Sequence, residues 1–271
     1  MQSPPGWGGQ QAQTLESPSE QAGARRDDVS VIDAIKFPFQ GEHWLSNLFL
    51  AFVFQLIPVL GQIALLGWHA EIMHRLRSGD PRPAPKLEFG DMMHYFSRGV
   101  PSFLGGIVVG MPFGFLIGVV VGLGGFIAGI VAGAMRIRGP EVVLVVYGLA
   151  GVVMLIASPL MMIAGNAVTT RAELTEDGGK ALEFGKLWSY ASRTWGIVLI
   201  AWFGFVCMSM LIALAGLLVC FFGVYLAAVA ISIARVHLRW QIYEVYLSRG
   251  GEPIPLKFPR DPVPSEAARR A

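Results

Sequence analysis

Apolar residues run along this chain in stretches longer than a soluble helix requires. Between positions 101 and 134 no side chain is charged, and Gly106, Gly110, Gly114, Gly118 and Gly122 recur at every fourth place. About 20 apolar residues already cross the hydrocarbon of a bilayer, whereas a surface helix of a soluble domain keeps a polar face. Three more runs free of Asp, Glu, Lys and Arg cover 44–70, 142–170 and 194–234. The pattern predicts an all-α, polytopic membrane protein.

Each long run reads as a hairpin, with turns expected near Pro58 to Gly61, near Met135 to Pro140 and near Leu217 to Gly223. This gives about six membrane helices or half-helices. Of the 21 Lys and Arg residues, all but Arg136 and Arg138 then fall on one side, and the positive-inside rule makes that side, with both termini, cytoplasmic. A single crossing by the 44–70 run would instead divide the basic residues sixteen to five. The arm from Leu45 to Ile57 spans only about 20 Å at 1.5 Å per residue, against roughly 30 Å of hydrocarbon. Whether the first hairpin crosses the bilayer or re-enters it stays open.

The chain also repeats itself. FGDMMHYFSR, at 89–98, aligns with FGKLWSYASR, at 184–193, with half the positions identical. Apolar residues sit at helical spacing in both: Phe89, Met92, Met93, Phe96 and Val100 in one, Phe184, Leu187, Trp188, Ala191 and Trp195 in the other. Each reads as an amphipathic helix on the membrane surface, leading into a hairpin. The Pro-x-Pro segments that follow Leu76 and Leu247 mark a second, fainter correspondence.

Composition narrows the class further. Hydrophobic residues make up 54% of the chain and charged ones 15%, well below the usual quarter, and the net charge of +2 gives no reason to expect nucleic acid. Cys207 and Cys220 lie thirteen positions apart in an apolar run and read as reduced, buried thiols. Residues 1–30, rich in Gln, Ser, Pro and Gly, lack an apolar run fit for a signal peptide and read as a disordered cytoplasmic tail. Positions 31–258 form the helical membrane domain, and 259–271 a flexible tail.

Phe37, Pro38 and Phe39, then Trp44, the Ile57-Pro58-Val59-Leu60-Gly61 break, Gly67-Trp68 and 83–91 resemble the prokaryotic membrane family known as domain of unknown function 4013. The likeness extends to Pro159, to the segment around Phe184 and to His237, Gln241 and Tyr243, covering roughly 32–256. Trp68 stands where the family leads one to expect tyrosine. The resemblance implies a multi-pass membrane protein and carries no activity with it.

Candidate sites are few. The five glycines form a groove that winds about 40° per step and lets a partner helix approach to backbone contact. That partner is expected to be the 142–165 helix or a second subunit. Gln55, Gln62 and Asn166 are the intramembrane polar candidates, read as interhelical hydrogen-bonding groups. Arg235, His237, Arg239 and Trp240 read as an anchor for anionic lipid headgroups. His69, Glu71, His74 and Arg75 lack the spacing of a metal-binding face, and Glu71 with Arg75 reads as an interfacial ion pair. No catalytic constellation, metal site or cofactor is expected. Two function classes follow: a non-enzymatic membrane scaffold or accessory subunit, with the lipid bilayer and a homo-oligomer or membrane protein as partners, and a small-solute or lipid transporter or channel component.

Overall fold

The computed structural model describes residues 28–135, 140–218, 221–257 and 263–264, and among them it contains eight α-helices and no strand. They are α1 (Val31–Lys36), α2 (Trp44–Leu56), α3 (Leu60–Arg77), α4 (Met92–Met135), α5 (Pro140–Thr175), α6 (Gly178–Ala181), α7 (Phe184–Leu218) and α8 (Phe221–Ser248). Helices α2/α3, α4/α5 and α7/α8 make the three hairpins expected from the apolar runs. The connecting positions 136–139 and 219–220 lie outside the described residues, as do Cys220, residues 1–27 and most of the 259–271 segment.

The first hairpin turns through an unusual backbone. Val59 has φ 61° and ψ −60°, and Leu60 N donates to Pro58 O at 2.7 Å, which closes a γ-turn of the rare, strained kind. Gly61 follows because nothing larger fits: a Cβ there would lie 1.8 Å from Phe54 O. Helix α2 has 13 residues, about 20 Å, the short arm anticipated above.

The amphipathic segments at 89–98 and 184–193 are helical, with one correction to their arrangement. They are not separate surface helices. After a single tight turn at Phe89–Asp91 the first runs unbroken into α4, a helix of 44 residues, and the second forms the opening turns of α7. Neither Pro101 nor Pro112 ends α4. Their burial repeats as their sequence does: Tyr95 and Tyr190 are buried, while Phe89, Met93, Phe184 and Trp188 are exposed.

Packing divides the molecule into two layers. The most apolar stretches of α4, α5 and α7 are largely unburied, so there these helices present apolar surface outward. All three are long and apolar enough to cross a membrane. Apart from Phe54, beside the turn of the first hairpin, large buried side chains gather at the polar end: Trp68, Ile72, Met73, Tyr95, Tyr190, Tyr243 and Leu174. There Asn47 of α2 fastens the Pro-rich 78–88 loop, donating from Nδ2 to Pro85 O (3.1 Å) and accepting from Leu87 N (2.8 Å), while Trp68 Nε1 donates to Pro85 O (3.3 Å).

Candidate functional site

The polar end holds a group of buried charges that no single segment of sequence announces. Glu71 and Glu173 are wholly buried, and Arg98 and Arg239 nearly so. Glu71 of α3 accepts from Arg75 Nε at 2.6 Å, one turn away, and from Arg98 Nη1 at 2.5 Å across to α4. Arg98 then clasps Glu176, just past α5, through Nε at 2.7 Å and through Nη2. Glu173 of α5 takes a two-point bond from Arg239 of α8, at 2.5 and 3.3 Å. His74 joins the two halves: its Nε2 lies 3.0 Å from Glu173 O and 3.5 Å from Glu176 Oε1. Three carboxylates, Glu71, Glu173 and Glu176, thus meet three guanidiniums, Arg75, Arg98 and Arg239, and α3, α4, α5 and α8 are held at one point.

This corrects the reading of Glu71 and Arg75 as an interfacial pair. Glu71 is buried and shared with α4. Burying a charge costs several kcal/mol unless partners compensate it, and a forked guanidinium supplies two matched donors to a carboxylate. Beside the network, Tyr243 receives Arg77 Nη1 at 2.8 Å and Ile254 N at 3.1 Å, tying the chain after α8 to α3. Burial pushes the Tyr243 phenol above its ordinary range, and the Arg77 guanidinium pulls partly against it.

The lipid-headgroup set separates. Arg239 is buried on Glu173, His237 stacks on Phe37 at 4.6 Å and meets Gln241 Nε2 at 3.0 Å, and Trp240 packs half-buried against Tyr243. Arg235 alone stays exposed, its guanidinium 6.0 Å from the centre of the Phe205 ring. Gln62 Nε2 reaches Gln55 O at 3.5 Å within the first hairpin, and Asn166 Oδ1 accepts from Tyr190 OH at 3.2 Å, between α5 and α7.

Among the described residues the glycine ladder has no helix of the same chain packed on it. A Cβ added at Gly106, Gly110, Gly114, Gly118 or Gly122 would meet nothing within 4 Å. Helix α4 meets α5 through a neighbouring face, where Gly105 lies against Val168. The close helix crossing is elsewhere: a Cβ at Gly67 would sit 1.7 Å from Tyr95 O, and one at Gly99 would sit 1.8 Å from Ile63 O, so α3 and α4 touch backbone to backbone. No group of three or more His, Cys, Asp or Glu residues fit to hold a metal occurs among the described residues.

A family model described as "Protein of unknown function (DUF4013)" matches residues 50–222, most of the helical part. The chain belongs to the DUF4013 family. No curated protein and no solved structure matches it. The matched span of this DUF4013 protein includes Glu71, His74, Arg75, Arg98, Glu173 and Glu176, and leaves Arg239 and the rest of α8 beyond its end. The pairing of Glu71 with Arg98 escapes a sequence reading because the one stands 27 positions from the other in different helices. A charged residue just outside an apolar run looks like a solvated rim until the fold folds it inward.

Proposed function

We propose that this DUF4013 protein is a non-enzymatic scaffold or accessory subunit of the cell membrane, with both termini on the cytoplasmic side. The observation that carries this reading is the mutual pairing of buried Glu71, Glu173 and Glu176 with Arg75, Arg98 and Arg239. Carriers coupled to ions or protons place an ionisable group near the midplane, beside broken half-helices. Here Glu71, Glu173 and Glu176 are gathered at the polar end and each is engaged by a guanidinium, an arrangement suited to fixing helices together. Outward apolar surface on α4, α5 and α7 supports bilayer contact, and the open glycine ladder supports a second membrane helix, from another copy or another protein, as partner.

A carrier or channel component is the second reading. It draws on the sequence repeat and on the broken first hairpin at Pro58 and Val59, features shared with many transporters. Nanodiscs drawn directly from native membranes, followed by native mass spectrometry, separate the two. A homo-oligomer or a protein partner at fixed stoichiometry is expected. A monomer retaining one small solute, lost when Gln55, Gln62 and Asn166 are changed to alanine, would overturn the scaffold in favour of the carrier.

A further inference from the structure

The repeat places an arginine at the base of each long hairpin, and the two arginines meet opposite surroundings. Arg98 of α4 and Arg193 of α7 occupy the last position of the matching ten-residue segments. In the first copy the residue immediately after the returning helix is Glu176, and Arg98 clasps it. In the second copy the residue immediately after the returning helix is Arg249. Arg193 Nη1 donates to Arg249 O at 2.5 Å, and Arg249 Nη1 donates in return to Arg193 O. The two side chains therefore pass each other in opposite directions, both exposed, and neither has a carboxylate partner among the described residues. The carboxylate that closes the α4/α5 hairpin is replaced in the α7/α8 hairpin by a second positive charge.

We propose that Arg193 and Arg249 together bind a phosphate group, presented at the membrane surface by an anionic lipid headgroup. Two exposed guanidiniums gathered at one place, with no carboxylate partner among the described residues, favour an anion that takes charge-assisted hydrogen bonds from their remaining donors. Each guanidinium carries five N–H donors and gives one to the opposite carbonyl, so donors remain for a ligand. Trp188 and Trp195, exposed on α7, bracket Arg193 along the helix. Tryptophan concentrates at the headgroup level, which puts the pair at the height of lipid phosphates. The carbonyl contacts hold both side chains in place before a ligand arrives, which lowers the entropic cost of binding.

The test uses the full-length protein in maltoside micelles, which contain no phosphate. One arm titrates phosphatidylglycerol against phosphatidylcholine by native mass spectrometry. The other adds inorganic phosphate and follows thermal unfolding. Arg249→Glu rebuilds the pairing seen between Arg98 and Glu176, so it is expected to fold at least as stably as the parent and to bind phosphatidylglycerol at least about tenfold more weakly, as loss of one charged contact implies. Arg193→Gln is expected to weaken binding likewise, while Arg82→Gln, at an exposed arginine that faces Glu42, is expected to leave it unchanged. Phosphatidylglycerol retention that depends on Arg249 identifies a lipid site. Stabilisation by inorganic phosphate alone, lost in Arg249→Glu, identifies a free-phosphate site. Equal binding by parent and Arg249→Glu in both arms, or no binding in either, overturns the proposal.

Discussion

Arg98 shows how much one side chain contributes once its partners are set around it. Its guanidinium divides its donors between Glu71 and Glu176, carboxylates from before α4 and after α5. Truncating one member of a buried ion pair leaves the others charged and unmatched, at a cost of about 3–5 kcal/mol. Arg98→Ala is therefore expected to lower unfolding stability by about that amount, measured by denaturant titration in micelles. Adding Glu71→Gln to Arg98→Ala should cost less than the two single changes summed, because the second removes a charge that the first has orphaned. Strict additivity would show that Glu71 and Arg98 act independently. Arg193, at the matching position of the repeat, lacks these partners, so its truncation is not expected to produce a comparable loss.

At the scale of elements, the same residue type has opposite consequences along α4. Gly99 sits where α3 passes so closely that a methyl group would collide with the Ile63 carbonyl, and Gly67 is its counterpart on α3. Gly114 and Gly118 face open space. Either Gly67→Ala or Gly99→Ala is expected to destabilise the monomer by at least about 3 kcal/mol, the upper range of overpacking, since backbone cannot rotate aside. The double change Gly114→Ala, Gly118→Ala should leave monomer unfolding unchanged or raise its midpoint, because glycine costs about 1 kcal/mol of helix propensity relative to alanine. Following monomer unfolding and oligomer dissociation in the same micelles distinguishes the roles. Loss of an oligomer with an unchanged monomer would assign the ladder to a contact between copies.

The whole molecule has a dense polar end and a sparse apolar one, and the hairpins differ in reach. Helix α4 extends about 66 Å, more than twice the hydrocarbon thickness, while α2 extends about 20 Å. Side labelling tests the topology that the basic residues imply. With both native cysteines changed to serine, Ser78→Cys should react with an impermeant maleimide only from the cytoplasmic side, and Arg138→Cys only from the outer side. Equal access for both from one side would remove the second hairpin from the bilayer.

By itself the sequence determined the helical class, the three hairpins and the place of their breaks. Each of these follows from local rules: apolar length, Pro58 with Gly61, Arg136 to Pro140 between two apolar runs, and a 194–234 run too long for one crossing. Family membership was legible for the same reason, since its marks are local punctuation. The tertiary structure alone decided which charges are buried, that Arg239 is buried on Glu173, and that the glycines in backbone contact between α3 and α4 are Gly67 and Gly99. It also joined the amphipathic segments to α4 and α7, because side chains such as Tyr95 and Tyr190 find their burial against other helices. Periodicity reports what one helix offers to its surroundings. Which neighbour accepts the offer depends on where distant segments cross, and one charged side chain carries no sign of a partner 27 or 78 positions away.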